Sequence, residues 1–93
     1  YLPREAGARK QKIRELEARS RRERETQIFI ETPYRNDALL AALLEVLGGK
    51  TSLCIATDLT LPAENIRTQA IARWRDARPA IGKRPTLFLL LSG

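Results

Sequence analysis

A leucine- and alanine-rich segment at residues 38–47 constrains the fold more than any other feature, and Gly48 and Gly49 end it. Thr32 and Pro33 predict how this helix opens, because threonine can cap a helix and proline fits its first turn. Leucines at positions 39, 40, 43, 44 and 47 cover more than one face of the helix. We therefore expect the helix to pack on its own sheet and also against another domain or a second subunit.

Short β-type segments surround this helix. Three of them are apolar on both faces, as expected for strands buried in a parallel or mixed sheet: residues 27–31, 52–57 and 86–91. Residues 65–68 predict a short edge strand, and residues 70–77 predict a short helix that Trp74 anchors in the core. This alternation predicts an α/β fold with a mixed, largely parallel sheet of four or five strands, flanked by helices.

The first 25 residues differ from the rest in charge. Their nine basic and five acidic residues give a net charge of +4, whereas the other 68 residues carry +2. Acid–base pairs four residues apart predict a helix: Glu5–Arg9, Glu15–Arg19 and Glu17–Arg21. We expect residues 1–25 to form a charged helix at the edge of the domain, leading into an α/β core at residues 26–93. A mostly solvated helix is the simpler interpretation, and nucleic-acid binding is the alternative.

The residue types exclude several classes of chemistry. The 93-residue chain has no histidine and one cysteine, which excludes His-based triads, internal disulfides and metal sites built on the usual soft ligands. Its apolar run at residues 87–91 is far shorter than the roughly 20 residues that span a bilayer. We expect Cys54 to be an inert core thiol and the setting to be cytoplasmic, with no metal and no membrane partner. Because methionine is also absent, we expect the chain to be a piece of a longer protein.

Polar residues gather where the predicted strands end or begin. In open α/β sheets, ligands bind beyond the carboxyl ends of the strands. The ends of the first two predicted strands fit this rule, so the pattern is compatible with half of a small-ligand site. The polar residues at the three positions are Glu31, Thr32, Asp58, Thr60 and Thr86.

One of these strand ends carries a recognisable motif. The segment Ile28-Phe29-Ile30-Glu31-Thr32-Pro33-Tyr34-Arg35 resembles the Glu-Ser/Thr-Pro-His/Tyr-Arg segment of the tetrapyrrole-methylase superfamily. The similarity is greatest to the branch that methylates a ribose of small-subunit ribosomal RNA. Residues 1–3, 56–60 and 83–90 resemble further family segments in the same order, so the resemblance covers essentially the whole chain.

The resemblance implies the carboxy-terminal domain, residues 1–93, of a two-domain methyltransferase that uses S-adenosylmethionine. Such enzymes are usually homodimers, and the missing amino-terminal domain would carry the Gly-rich cofactor loop. Cofactor contacts, many through backbone groups, are implied at Glu31, Thr32, Asp58, Leu59, Thr60 and Thr86. Substrate contacts are implied at Tyr34 and Arg35, with Arg67 as a third candidate, and no catalytic residue is assigned.

The chain also departs from the ribosomal branch at three places. Thr57-Asp58 stands where that branch has Arg-Glu, Arg67-Thr68 where it has Arg-Gly, and Ser92-Gly93 where it has Glu-Gly. The acceptor therefore stays open between ribosomal RNA and a tetrapyrrole-like small molecule. The alternative function is a small basic RNA-binding module without enzymatic activity. It would use the first helix together with Arg35, Arg67, Arg73, Arg75, Arg78, Lys83 and Arg84.

Overall fold

The computed structural model describes residues 1–92. Its elements are, in chain order, α1 (Ala6–Glu23), β1 (Gln27–Ile30), a 3₁₀ turn (Pro33–Arg35), α2 (Asn36–Val46), β2 (Ser52–Thr57), β3 (Asn65–Ala70), α3 (Ile71–Asp76) and β4 (Thr86–Leu91). Among these residues, no helix combines the length and the apolar character that crossing a bilayer requires.

The four strands form one sheet in the order β1-β4-β2-β3, and every neighbouring pair is antiparallel. The mixed α/β content and the four strands agree with the prediction, but the largely parallel sheet does not. The reason lies in β4, which inserts between β1 and β2 and runs against both. Strands β1 and β2 therefore share a direction without being neighbours, while β3 folds back directly onto β2.

The helices pack on one face of the sheet, which we call the covered face. Phe29 and Phe88 stack there with their ring centroids 5.8 Å apart, and Ile13 of α1 is completely buried in the same core. Leu53, Ile55 and Leu90 complete the sheet's share of this core. One apolar cluster therefore joins the sheet to the helices.

The leucine helix is covered within the chain. Leu39, Leu40 and Leu43 are fully buried in the common core. Helix α1 packs beside α2, with Lys10 Nζ 3.0 Å from Glu45 Oε1, and Arg75 of α3 donates to the carbonyls of Leu44 and Leu47. The expectation that another domain or subunit must cover this helix is therefore wrong, because α1 and α3 occupy its second side.

The opposite face of the sheet carries no layer of helices, and we call it the uncovered face. Two rows of side chains on it cross all four strands: Ile28, Leu89, Cys54 and Thr68, then Ile30, Leu87, Ala56 and Ile66. Neither row contains a charged side chain. Strand β1 was expected to be buried on both sides, but it is an edge strand whose Ile28 is 62% exposed. Cys54 likewise lies half-buried on this face and not in the core.

Helix α1 is attached to the domain by polar contacts that local spacing did not reveal. The Glu5 carboxylate caps it by accepting from the N–H groups of Gly7 and Ala8, and Glu17 accepts from Gly48 N at 2.8 Å. None of the three predicted acid–base pairs is among the ion pairs of residues 1–92. Ile13 and Ser20 of α1 are both fully buried. Glu17 thus makes a tertiary contact, whereas Glu15 and Glu23 pair with basic residues of α1 itself.

The start of α2 also differs from the prediction. Pro33 opens a 3₁₀ turn, and α2 itself begins at Asn36. The Thr32 side chain makes no capping hydrogen bond, and its backbone carbonyl accepts from Arg35 N at 2.8 Å. The predicted side-chain cap at Thr32 is therefore wrong, because the turn satisfies its own backbone groups.

Candidate functional site

Three of the predicted strand ends meet at one edge of the sheet. Since β1 and β2 run in one direction and β4 in the other, the ends of β1 and β2 lie beside the start of β4. The register shows this, because both Ile30 and Ala56 lie opposite Leu87, and Thr57 lies opposite Thr86. The antiparallel sheet therefore gathers the strand ends that the sequence analysis had assigned to a largely parallel one.

An apolar cavity of about 310 Å³ opens at this edge, and we call it the Leu59 cavity. Its walls include three predicted cofactor residues, Asp58, Leu59 and Thr86. Ala56, Leu61, Pro85 and Leu87 complete the lining. The volume is at the small end of the range for ligand sites, roughly 300–1,000 Å³, as expected for part of a larger cleft.

The loop that forms one wall of this cavity is conformationally strained. Asp58 and Thr60 have φ values of 52° and 65°, in the left-handed region. Aspartate tolerates this region, but a β-branched threonine there is an outlier. Three hydrogen bonds hold the loop: Asp58 N donates to Pro85 O at 3.0 Å, Leu61 N donates to Asp58 O at 3.0 Å, and Thr60 N donates to Glu64 Oε1 at 2.9 Å. Strain of this kind persists where the surroundings enforce it, often at binding sites.

Polar recognition in the Leu59 cavity can come from the backbone. Within residues 1–92, neither the N–H nor the C=O of Leu59 takes part in a protein hydrogen bond. Both groups belong to a residue that lines an otherwise apolar cavity. A flat heteroaromatic ring with donors and acceptors on its edge fits this combination, and the adenine of S-adenosylmethionine is such a ring.

Glu31 and Thr32 lie at the same edge but line a different cavity, together with Tyr1, Leu2 and Arg4. The Glu31 side chain is 3% exposed, and its Oε2 is 3.7 Å from Arg9 Nη2 of α1. Its Oε1 accepts from Thr32 N at 2.8 Å. Glu31 thus connects α1 to the end of β1, and the structure does not bring it into the Leu59 cavity.

Asn36 is a positioning residue that the sequence analysis missed. It is fully buried at the start of α2, and its Nδ2 donates to Gly82 O, Arg84 O and Thr86 Oγ1 at 3.3, 2.7 and 3.2 Å. These bonds fix the turn before β4 and therefore one wall of the Leu59 cavity. The signal available in the sequence was a carboxamide at the start of a leucine- and alanine-rich helix.

The three predicted substrate residues do not form one cluster. Tyr34 is exposed and Arg35 is half-buried, and the two side chains pair with each other, with the guanidinium carbon 5.2 Å from the ring centroid. Arg67 lies opposite Ile55 and so belongs to the covered side of the sheet. It lines a separate groove with Trp74 and Arg84. The structure therefore separates Arg67 from the Leu59 cavity, which opens beside the uncovered face.

The basic residues expected to bind RNA also fall into separate groups. Five of those on α1 have a carboxylate oxygen within 4 Å: Arg9, Lys10, Lys12, Arg19 and Arg22. Arg75 is occupied by the carbonyls at the end of α2. Trp74 is confirmed as a core anchor, since it is 4% exposed and donates from Nε1 to Leu53 O at 2.9 Å. Much of the first helix's charge is thus neutralised internally.

Comparisons with known proteins identify relatives of the chain. No protein-family model matches it. It is 38% identical over 72 residues to a ribosomal RNA small subunit methyltransferase I from Vibrio cholerae serotype O1, a match that covers 77% of this chain and 24% of the relative. The chain thus spans about a quarter of that protein's length.

A solved structure shares the fold. The crystal structure of the methyltransferase CobJ aligns with 87% of this chain and 34% of its own, with a TM-score of 0.54 and 20% identity. At this identity the match supports the architecture alone. Together with the curated relative, it confirms the resemblance that the motifs indicated, and the chain is related to part of a methyltransferase of the tetrapyrrole-methylase superfamily.

Proposed function

We propose that the chain is the carboxy-terminal, cofactor-covering part of a methyltransferase that uses S-adenosylmethionine. The observation that carries this proposal is the Leu59 cavity, which brings Asp58, Leu59 and Thr86 together at one edge of the sheet. The chain spans a quarter of its curated relative, so an amino-terminal domain would supply the Gly-rich loop and the rest of the substrate pocket.

In this arrangement the residues of the chain bind and orient the cofactor. Ala56 and Leu87 would contact the face of adenine, and the free backbone groups of Leu59 would recognise its polar edge. The bound cofactor supplies a methyl group on a sulfonium that is already activated. Positioning of the acceptor therefore dominates the catalysis, and the strained Asp58–Thr60 loop would contribute by holding the adenosyl group in place.

The proposed acceptor is ribosomal RNA, since the curated relative carries that activity in its name. This acceptor implies a cytoplasmic setting. Tyr34 and Arg35 are proposed substrate contacts because both follow β1, Tyr34 is exposed, and the half-buried Arg35 has no ion-pair partner within residues 1–92. A small-molecule acceptor remains the second candidate within the same reaction class.

A homodimer is part of the proposal, with its contact on the uncovered face and not on the leucine helix. The row through Ile28 is free of charged side chains, whereas the chain carries a net charge of +6. This row lies outside the lining of the Leu59 cavity, which takes Ala56 and Leu87 from the row through Ile30. Pairing two uncovered faces would place both basic α1 helices on the outside, where their repulsion is weakest. Cys54 lies on that face. If two copies pair there around a two-fold axis, Cys54 should crosslink efficiently to Cys54 of the second copy, and sedimentation should show a dimer.

An NMR titration of the chain with S-adenosylmethionine tests the cofactor site. We expect amide shifts at Asp58, Leu59, Thr60 and Leu87, with adenosine producing most of the same shifts. Shifts confined to other regions would contradict the proposed site.

Two substitutions on β2 supply a matched pair for this titration. Ala56→Leu should fill the Leu59 cavity and remove the shifts. Cys54→Leu adds a large side chain to the same face of the same strand but outside the cavity lining, so it should leave them unchanged. Equal effects of the two changes would show that the shifts do not report on this cavity.

A further inference from the structure

A second concave site lies on the other side of the sheet, and we call it the Arg67 groove. Its volume is about 190 Å³, and it lies between the edge strand β3 and the turn that precedes β4. Ile55, Trp74 and Ile81 line its apolar part, while Asn65, Arg67 and Arg84 supply polar groups. No carboxylate lines it, so its ionisable groups are both cationic.

The basic side chains around this groove lack carboxylate partners, whereas most of those on the first helix have one. Residues 65–84 contain six basic side chains and one acidic side chain, Asp76. None of these basic residues has a carboxylate within 4 Å in the described part of the chain. On α1, by contrast, five basic residues have such partners. Because Arg75 donates to carbonyls at the end of α2, five basic side chains of residues 65–84 remain available for an anionic partner, against two on α1, Arg14 and Arg21.

Arg84 is held in position before any ligand binds. Its Nε donates to Ile81 O at 2.9 Å and its Nη2 donates to Ala80 O at 3.1 Å. The turn itself is fixed, because Asp37 accepts from Ile81 N at 2.7 Å and from Gly82 N at 3.0 Å. Two bonds leave Arg84 with further N–H donors, and a preorganised guanidinium loses little entropy when it binds a phosphate.

We propose that the Arg67 groove binds phosphodiester groups of a single RNA strand. Arg67 and Arg84 would each contact a phosphate, and Asn65 adds a neutral hydrogen-bonding side chain at the edge of the groove. Trp74 is 4% exposed and serves as wall and not as a stacking platform, so the groove recognises the backbone and not the base sequence. In naming RNA as the partner, this inference rests on the proposed function, but its contact residues are separate from the Leu59 cavity.

Fluorescence anisotropy with a labelled 12-nucleotide RNA tests the proposal on the whole chain. Arg67→Glu should weaken binding by about tenfold or more and lower the log–log salt slope by about 0.7, the value for one phosphate on a single strand. Arg67 is exposed and forms no side-chain hydrogen bond within residues 1–92, so this change should leave the fold intact. Arg84→Gln should also weaken binding.

Arg14→Glu is the matched control, since it makes the same change of charge at an exposed position of α1 that also has no ion pair in the described residues. We expect an effect of at most about twofold. Equal losses for Arg67→Glu and Arg14→Glu would overturn the proposal in favour of diffuse electrostatic attraction. Affinity for inorganic phosphate or a mononucleotide equal to that for the strand would also overturn it.

Titration of the same variants with S-adenosylmethionine separates this inference from the proposed function. Arg67→Glu should leave the shifts at Asp58 and Leu59 unchanged, because Arg67 lies on the covered side of the sheet. Loss of RNA binding with retained cofactor shifts supports the groove. Retained RNA binding in Arg67→Glu overturns the groove, whatever the cofactor does.

Discussion

The covered and uncovered faces of the sheet are both apolar, but they meet different surroundings. On the covered face, Phe29 and Phe88 stack beneath the helices and are 6% and 0% exposed. On the uncovered face, Ile28 and Ile66 are 62% and 59% exposed. The strand residues of the two faces are thus similar in kind, and only the covered face has its partner within the described chain.

An apolar strand pattern therefore predicts that the side chains will be buried, but it does not predict which element or partner buries them. Strand β4 alternates between the two faces, with Phe88 and Leu90 in the core and Leu87 and Leu89 on the other side. Both sets are apolar, so the sequence predicted strands buried on both faces, whereas the helices of the structure cover only one face. An apolar surface of this kind is typical of an interaction site.

Phe88 and Leu89 are neighbours in β4 that lie on opposite faces of the sheet, so they test the difference between the faces most directly. Phe88→Ala should lower the free energy of unfolding by about 3–5 kcal/mol, because it leaves a cavity in the common core. Leu89→Ala should cost about 1 kcal/mol at low protein concentration, since its side chain lies on the half-exposed face. Urea denaturation measures both. A loss for Leu89→Ala that grows with protein concentration would show that a second copy covers this face.

Substitution of the buried Asn36, at the polar edge of the covered face, should lower the stability nearly as much as Phe88→Ala. Asn36→Ala should cost about 2–3 kcal/mol, because it removes the donor to the buried Thr86 hydroxyl and to Gly82 O, and leaves Arg84 O with the Thr86 hydroxyl as its side-chain donor. The matched control Asn65→Ala removes an exposed carboxamide from an edge strand and should change stability by less than about 0.5 kcal/mol. Thermal or urea unfolding would detect the difference, and similar losses would mean that the Asn36 bonds contribute little.

In the Asp58–Thr60 loop beside the uncovered face, removal of a side chain should instead raise the stability. Thr60→Gly should stabilise the chain by about 1 kcal/mol, because glycine adopts the observed φ of 65° without steric cost. Thr68→Gly, in strand β3, should instead destabilise it by about 0.5–1 kcal/mol. If Thr60 belongs to the cofactor loop, the stabilised Thr60→Gly variant should show weaker amide shifts with S-adenosylmethionine. Destabilisation by Thr60→Gly would show that the loop is not strained in solution.

The smallest expected effect concerns α1, which packs on the covered face. Hydrogen bonds from the N–H groups of Ala8 and Gly7 lower the pKa of the Glu5 carboxyl below its ordinary value. This contribution to stability is therefore complete above the ordinary glutamate pKa and disappears as the pH falls through the lowered value. Glu5→Gln should remove the acid sensitivity of amide protection in the first turn of α1. Unchanged acid sensitivity in that variant would assign the effect to another group.

Much of the local structure followed from the sequence. Strands β2 and β4 have the predicted bounds, and α2 ends close to the predicted stop at Gly48. Local apolar runs and glycine stops are sufficient for such elements. The clustering of Asp58, Leu59 and Thr86 came from the family resemblance, since no spacing rule brings residues from two distant segments together.

Other features depended on contacts that are remote in sequence. Asn36 reaches the turn that precedes β4, and Glu17 reaches the turn before β2. The charge pattern of α1 suggested local pairs, and Glu15 and Arg19 do pair locally, although with other partners than predicted. Arg9, Glu17 and Arg21 instead contact residues outside the helix. Thr32 was likewise predicted to cap the helix with its side chain, but a 3₁₀ turn forms there and no side-chain capping bond is made.

By itself, the sequence determined the nature and order of most elements, the edge position of β3 and the superfamily, because these depend on local pattern or on a short motif. Only the tertiary structure decided the antiparallel direction of the strands, since a buried strand has the same composition in either direction. It also decided which charges stay free at residues 65–84 and which face of the sheet stays uncovered. Both outcomes depend on which elements meet, and that is settled when the whole core assembles.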